Sequence, residues 1–256
     1  MKKYKEQLIE LGLTETQINS NGLLIYNGIS LQDKKTNILV LVSGLLNPSV
    51  NDKTGAMAQA DILVKDQHPI EAVKNKTDKA VCGSCPLRNN ECYVNLGFGP
   101  SSKYKAWQRG NYPYATPEQL GHILKLRNIN IRLGSYGDPA MVKYEIWRKL
   151  IDVSQQSFTS YTHQWNESYF DKRILEFSMG SIDYTTTPEE FKKLYPTGRF
   201  YTIVNDYENL PSNTIACPSK STDRLPNGQR KITCNTCNLC SGNTLKAKSI
   251  AIIENS

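Results

Sequence analysis

The sequence lacks any apolar run long enough to cross a membrane, which takes about 18 consecutive apolar residues. Its most apolar stretch, Ile38–Leu46, has the length of a single strand. The first residues, MKKYKEQLIELGL, form a charged amphipathic pattern without the apolar core of a signal peptide. These absences predict a cytoplasmic protein with no membrane partner.

The motifs of three common enzyme classes are also missing. There is no G-x-S-x-G elbow, no Walker A loop and no G-x-G-x-x-G turn opening a β–α unit. This argues against a triad hydrolase, a P-loop enzyme and a dinucleotide-binding enzyme. The composition, 39% hydrophobic and 21% charged, is that of a globular protein, and 256 residues suit one large domain or two small ones.

Basic residues exceed acidic ones by 31 to 24, which gives a formal net charge of +7. Such a surplus is compatible with a polyanionic partner such as a nucleic acid. The basic residues are spread along the chain, however, so a solvated basic surface explains the surplus as well.

Cysteine is absent from most of the chain and concentrated in two groups. The first cysteine group is Cys82, Cys85 and Cys92; the second cysteine group is Cys217, Cys234, Cys237 and Cys240. An odd total of seven, in a chain without a signal peptide, argues for metal or redox chemistry rather than disulfides. The sequence therefore predicts bound metal at both groups.

The second cysteine group has the spacing C-x16-C-x2-C-x2-C, and Pro218 follows its first member. A C-x2-C-x2-C triplet with a distant Cys-Pro is typical of chains that bind a 4Fe–4S cluster. Tetrahedral zinc more often takes two C-x2-C pairs joined by a longer loop. The spacing favours a 4Fe–4S cluster, with zinc as the alternative.

The first cysteine group offers only three sulfurs, and three interpretations stay open. A fourth ligand, either a carboxylate or one of the histidines His68, His122 and His163, would complete a closed site. Alternatively, three thiolates hold a 4Fe–4S cluster with one open iron, or a zinc ion with an open water position.

Helical and strand patterns alternate through most of the chain. We predict a helical N-terminal region over residues 1–35 and a single α/β domain over 36–256. The second half alternates predicted helices with strands near 129–136, 157–165, 174–183 and 199–206. This order is typical of a parallel sheet, either open or closed into a barrel.

Polar residues follow these predicted strands. Tyr136 and Asp138 follow one, His163 and Gln164 the next, and Asp183 the third. Because the carboxyl ends of parallel strands share one rim, we identify Tyr136, Asp138, His163 and Gln164 as candidate catalytic residues. His163 is the proton-transfer candidate, oriented by Asp138 or Asp183. The simpler alternatives are that Asp138 caps a helix and that His163 is structural.

Basic and aromatic residues interleave between the two halves of the chain. Lys103, Lys105, Trp107 and Arg109 fall on a predicted short helix that begins near Ser101. They are candidate nucleic-acid-binding residues, because such side chains grip phosphates and stack bases. A half-buried amphipathic helix with extended lysines is the alternative.

The segments KTGAMAQADIL, VCGSCP, CYVN, YKAWQRGNYP, IRLGSYGDPAMV and YTHQW resemble a bacteriophage and prophage protein family with two cysteine clusters. The resemblance runs from about residue 36 to the second cysteine group. The arrangement is more distantly similar to radical-SAM-like phage proteins, whose usual cysteine spacing is C-x3-C-x2-C rather than the C-x2-C-x6-C found here.

The radical-SAM resemblance implies a partial parallel β/α barrel. It implies that the first cysteine group holds a 4Fe–4S cluster whose open iron binds S-adenosylmethionine, and that the second holds an auxiliary cluster. The turn residues Gly134, Ser135 and Gly137 would contact the cofactor.

The sequence supports two hypotheses for the function of this protein. The first is an iron–sulfur enzyme of the radical-SAM-like kind, whose substrate class, a nucleotide or nucleic acid, is suggested by the basic balance and the phage setting. The second is a zinc-stabilised, non-enzymatic module that binds nucleic acid or protein.

Overall fold

The computed structural model describes residues 2–48, 51–88, 92–220, 223, 225–226, 228, 230–244 and 246–253. Its strands are β1 (Gly22–Ile29), β2 (Asn37–Ser43), β3 (Ala58–Val64), β4 (Ile131–Tyr136), β5 (Phe158–Thr162), β6 (Met179–Ile182), β7 (Phe200–Val204), β8 (Thr214–Ala216) and β9 (Ser249–Ile253). Its α-helices are α1 (Lys2–Glu10), α2 (Glu15–Ile18), α3 (Pro69–Lys74), α4 (Lys79–Cys82), α5 (Gly99–Gln108), α6 (Pro117–Arg127), α7 (Tyr144–Ser154), α8 (Pro188–Leu194) and α9 (Cys234–Cys237). Short 3-10 helices cover Pro139–Met141, Lys172–Glu176, Pro218–Lys220 and Gly242–Thr244.

The strands form one sheet in the order β1-β2-β3-β4-β5-β6-β7-β9-β8. β1, β2 and β3 pair in antiparallel fashion, whereas each neighbouring pair from β3 to β8 is parallel. The predicted α/β class with a largely parallel sheet is confirmed. β1 and β8 are the two edges of this order, so the sheet is open rather than a closed barrel.

The N-terminal region predicted to be helical, residues 1–35, contains α1 and α2 but also β1. The chain leaves α1 through Gly12, whose φ of +82° suits glycine, and Thr14 opens α2 in a capping box with Gln17. β1 pairs with β2 along its length. The predicted boundary at residue 35 therefore lies between two paired strands.

The core lies around β2, β3 and the helices α6 and α7. Residues 38–42 of β2 are fully buried, which explains why this strand is apolar at successive positions rather than at every second one. α6 and α7 pack closely because Gly121 has no side chain. A Cβ at that position would lie 2.8 Å from the Cβ of Val153.

The strand predicted near 174–183 is wrong in its first half. Residues 172–176 form a 3-10 helix, and the Asp171 side chain caps it by accepting a hydrogen bond from the Arg173 amide. Ile174 and Leu175 are buried from this turn, and the strand begins only at Met179. An apolar run of this length does not by itself distinguish a strand from a buried turn.

The parallel strands carry their polar turns to one rim. Gly137, His163 and Asp183 directly follow β4, β5 and β6, as the alternating pattern predicts. Within the described residues, no helix combines the length and apolar content needed to cross a membrane.

Candidate metal centres

The first cysteine group lies where the loop after α4 meets this rim. Burial raises the pKa of the Cys82 thiol, and the nearby negative charges of Asp78, Cys85 and Cys92 raise it further. The electrostatic influence of Cys85 and Cys92 on Cys82 shows that the three cysteines lie near one another. Cys82 and Cys85 are partly buried and Cys92 is exposed, so the cluster opens to solvent on one side.

A buried ion pair closes the loop that carries Cys82 and Cys85. The Arg88 guanidinium donates from Nε and Nη2 to the two carboxylate oxygens of Asp78, at 2.8 and 2.7 Å. Its Nη1 donates to the Gly83 carbonyl at 3.3 Å. A bidentate pair of this kind fixes both distance and orientation. The two sulfurs are therefore held by a rigid loop.

Gln164 attaches this loop to the rim and is fully buried. Its Oε1 accepts hydrogen bonds from the Ser84 amide and hydroxyl, both at 3.1 Å, and from the Tyr169 hydroxyl at 2.6 Å. Its Nε2 donates to the Cys82 carbonyl at 3.1 Å and to Asp138 Oδ2 at 3.3 Å. Gln164 thus positions the first cysteine group.

Gly83, between these partners, has to be glycine. Its φ is +58°, and a Cβ there would lie 2.1 Å from Oε1 of Gln164. The close approach of loop and rim depends on the missing side chain.

We expect Gln164→Leu to lower the free energy of unfolding by about 2 kcal/mol, because it leaves the Cys82 carbonyl and the Asp138 carboxylate buried without this donor. Urea denaturation measures the loss. The matched control is Gln108→Leu, at the exposed end of α5, which should change stability by less than about 0.5 kcal/mol. Equal stability of the two variants would contradict the positioning role.

His163 connects the first cysteine group to two carboxylates. Its Nδ1 lies 3.1 Å from Oδ2 of Asp183, its ring also contacts the Cys85 thiol, and its backbone amide donates to Asp138 Oδ2 at 2.8 Å. Burial lowers the pKa of His163, but the hydrogen bonds to Asp183 and Cys85 outweigh it and raise the pKa to about 10. The ring is therefore a cation at neutral pH.

Of the three histidines, the structure brings only His163 to the first cysteine group. His68 packs edge-on against Tyr104, with ring centroids 5.7 Å apart, and His122 lies on α6. His163 is thus the histidine placed to act as a proton carrier, and it could act as a fourth ligand only after losing its proton.

Asp138 and Tyr136 complete the rim. The Asp138 carboxylate accepts a hydrogen bond from the Ala140 amide at 3.0 Å and so caps the following 3-10 helix, as the simpler interpretation predicts. It also accepts hydrogen bonds from the His163 amide and from Gln164 Nε2, so Asp138 both caps the 3-10 helix and positions two site residues. The Tyr136 hydroxyl is buried without a hydrogen-bond partner among the described residues, and burial and the charge of Cys82 raise its pKa well above the usual range.

The turn proposed to contact a cofactor contains two glycines in left-handed conformations. Gly134 has φ +68° and Gly137 has φ +79°. A Cβ on Gly137 would lie 2.7 Å from the Cβ of Ile62, so the turn packs directly on β3. Ser135 donates its hydroxyl hydrogen to Oε1 of Gln59 at 2.7 Å. The conformation of the turn therefore has a structural reason, and its cofactor contact stays a prediction.

The second cysteine group surrounds one small cavity of about 20 Å3. All four sulfur-bearing residues line it, together with Tyr161, Tyr201, Leu239 and Ile250. Burial raises the pKa of Cys240 to about 12, offset in part by a hydrogen bond with Tyr161 and reinforced by the other three thiolates. Cys240 is therefore a neutral thiol at neutral pH, and a bound metal cation would stabilise its thiolate form.

Backbone hydrogen bonds fix the second cysteine group to both sides of the sheet. The Cys234 amide donates to the Lys53 carbonyl at 2.9 Å, and the Ser160 amide donates to the Cys240 carbonyl at 3.0 Å. The buried Arg199 guanidinium donates to the carbonyls of Leu239 and Gly242, both at 2.7 Å. These protein contacts hold the walls of the cavity in place without a bound metal.

Both groups offer the thiolate ligands that iron–sulfur clusters use, and zinc accepts the same donors. In the part of the chain that the structure describes, no three Cys, His, Asp or Glu side chains are already arranged to hold a metal ion. The fit rests on the four cysteines of the second group lining one cavity and on the three cysteines of the first group lying near one another.

The helix predicted to bind nucleic acid is α5, and its four candidates differ in environment. Lys103 forms an ion pair with the buried carboxylate of Asp61. Trp107 is partly buried, 5.5 Å from the ring of Tyr104. Lys105 and Arg109 are exposed. Only the last two present free cationic groups to a partner.

Comparison with protein-family models, with curated proteins and with solved structures gives no match to this chain.

Several site residues have no sequence signal. The Asp78–Arg88 and Asp61–Lys103 pairs join residues 10 and 42 positions apart. Tyr161 and Tyr201 line the cavity because β5 and β7 bring them there. The alternating pattern of a strand predicts which face of the sheet Tyr161 and Tyr201 lie on. It does not predict which residues they contact there.

Proposed function

We propose that this protein is a two-cluster iron–sulfur enzyme of the radical-SAM-like kind. The observation that carries the proposal is the position of the first cysteine group. The loop that carries Cys82 and Cys85 lies at the carboxyl ends of β4 and β5, where Cys82 lies beside Tyr136 and Cys85 contacts His163. Ligand and catalytic sites of parallel α/β sheets lie at this end.

The first cysteine group would hold a 4Fe–4S cluster through three thiolates and leave one iron open. In radical-SAM enzymes that iron binds S-adenosylmethionine, and the reduced cluster supplies it with an electron. The buried hydroxyl of Tyr136 has at most a weak contact with the Cys82 sulfur within the described residues, which supports a ligand at this point, because a buried hydroxyl costs free energy unless something bonds to it. The open, solvent-facing side at Cys92 gives a ligand access.

The neighbouring side chains have roles that follow from their bonds. Asp183 keeps the His163 ring protonated and oriented, so His163 is positioned to donate a proton or to neutralise negative charge at the cluster. Gln164 and Asp138 hold the cysteine loop and the His163 amide in fixed relation. Tyr136 is a hydrogen-bond donor towards whatever occupies the open position.

The second cysteine group would hold an auxiliary 4Fe–4S cluster. Four cysteines around one cavity, two of them buried and two partly buried, would complete the coordination of a cubane. Tyr161 and Tyr201 cover it from the sheet, since both line the cavity.

The barrel-like part of the proposal concerns β3 to β7, five parallel strands in chain order. That sequential order is the pattern of β/α barrels, and it supports a partial barrel that the antiparallel β1–β2 hairpin extends. A nucleotide or nucleic-acid substrate is supported by the net charge of +7 and by the exposed cations of α5.

Anaerobic purification, followed by an absorption spectrum and by iron, sulfide and zinc analysis, tests the proposal. We expect a brown protein with about eight irons and about eight sulfides per chain, because each cubane contributes four of each. A colourless protein with stoichiometric zinc would contradict the proposal and favour a zinc-stabilised binding module.

A further inference from the structure

Arg132 lies on β4 between the two cysteine groups. It is in register with Gln59 of β3 and with Thr159 of β5, so the three side chains share one face of the sheet. Thr159 lines the cavity of the second cysteine group. Arg132 also contacts Tyr93, the residue next to Cys92 of the first group. A ligand at Arg132 would therefore be within reach of both groups.

The hydrogen-bonding capacity of Arg132 is largely unused. Its Nη2 donates to the Tyr93 hydroxyl, and its guanidinium lies 5.5 Å from the centre of that ring. Its Nε is shielded from solvent and has no hydrogen-bond partner among the residues that the structure describes. A guanidinium has five N–H donors, and only one of them is engaged by a described residue.

Arg132 also has no carboxylate as an ion-pair partner among the described residues, although the charge of Asp61 acts on it from a greater distance. Asp61, on the same side of the sheet, already forms an ion pair with Lys103, and no carboxylate of the described residues lies within ion-pair distance of Arg132. Burial lowers the pKa of Arg132, but the nearby side chains of Tyr93, Tyr161 and Cys234 outweigh that effect and raise it. Arg132 is half-buried and its Nε is shielded from solvent, so a guanidinium held here without a carboxylate partner points to an anionic ligand.

We propose that Arg132 binds a phosphate or carboxylate group of the substrate, in the space between the two cysteine groups. Guanidinium geometry matches these two oxyanions, which it binds with paired N–H donors. The Tyr93 hydroxyl positions the guanidinium. The substrate role rests on the proposed function, whereas the anion site itself requires no iron.

Calorimetric titration of the full chain with inorganic phosphate, and separately with acetate, tests the site. We expect Arg132→Gln to weaken binding about tenfold or more, and Arg132→Lys to weaken it less, because lysine keeps the charge without the fork. Tyr93→Phe should weaken binding a few-fold without unfolding the chain, since Tyr93 is exposed. The matched control is Arg148→Gln on α7, which is exposed and should bind as the wild type does.

The two probes distinguish a phosphate-bearing from a carboxylate-bearing substrate. Absence of binding of either probe to the wild type would overturn the proposal, as would equal affinity of Arg132→Gln and the wild type. If Arg132 only balances the charge of the second cysteine group, Arg132→Gln would alter metal content and leave phosphate affinity unchanged, which also overturns it. If Arg132→Gln does not fold, the proposal is overturned when both Arg132→Lys and Tyr93→Phe bind phosphate and acetate as tightly as the wild type.

The titration is independent of the test of the proposed function. Zinc-containing protein whose phosphate binding depends on Arg132 would contradict the iron–sulfur enzyme and retain the anion site. Iron-loaded protein whose phosphate affinity is unchanged in Arg132→Gln would support the iron–sulfur enzyme and contradict the anion site.

Discussion

Cys82→Ala is expected to remove about half of the bound iron and sulfide while the protein stays brown. Cys82 belongs to the cluster at the rim, and the four cysteines of the other group line a separate cavity. Loss of one ligand from a three-ligand site leaves too few thiolates to retain a cluster, whereas the second cysteine group keeps all four. Any activity that depends on the open iron should be abolished.

Cys237→Ala provides the reciprocal measurement. It should remove the other half of the iron and leave the first cysteine group loaded. Iron and sulfide analysis of both variants, with electron paramagnetic resonance of the reduced proteins, separates the two clusters. If Cys82→Ala folds normally and keeps all of its iron, the first cysteine group does not hold a cluster.

Lys103→Met is expected to lower the free energy of unfolding by about 3 kcal/mol. The side chain of Asp61 is 3% exposed and pairs with Lys103, so the substitution leaves a carboxylate buried without its cation. Burial already raises the pKa of Asp61. Removing Lys103 raises that pKa further, so the loss of stability should grow as the pH rises and shrink as Asp61 becomes protonated at low pH.

Two controls accompany this measurement by chemical denaturation. Lys105→Met, two residues away on the same helix and exposed, should change stability by less than about 0.5 kcal/mol. The double variant Asp61→Asn/Lys103→Met should regain part of the loss, because an amide carries no charge. If Lys103→Met and Lys105→Met are equally stable, Lys103 has no structural role and is free to bind a partner.

Much of the sheet could be predicted from its hydrophobic pattern. β2 and β3 are apolar and buried, and β4, β5 and β7 are marked by the polar turns that follow them. β8 has three residues and β9 has five, too few to give a periodic signal. Their positions are fixed by pairing with each other and with β7, which no local pattern contains.

The candidate site divides in the same way. The cysteine spacing predicts Cys82 as a metal ligand, and the position at the end of a strand predicts His163 and Gln164 as site residues, from the sequence alone. Arg132 could not be found, because a single arginine in a strand has no special spacing. Arg132 becomes a candidate only through its surroundings in the fold. Lys103 forms the ion pair with Asp61, so the described hydrogen-bond partner of Arg132 is the Tyr93 hydroxyl.

The strand order has a consequence for how the chain is synthesised. β9 lies between β7 and β8 in the sheet although it follows both along the chain. β8 therefore has no neighbouring strand to pair with until residues 249–253 have left the ribosome. Cys217 directly follows β8, so it takes its place beside the other three cysteines only after translation has passed them all. The metal that we propose for the second cysteine group would then be delivered only after residues 249–253 have been synthesised.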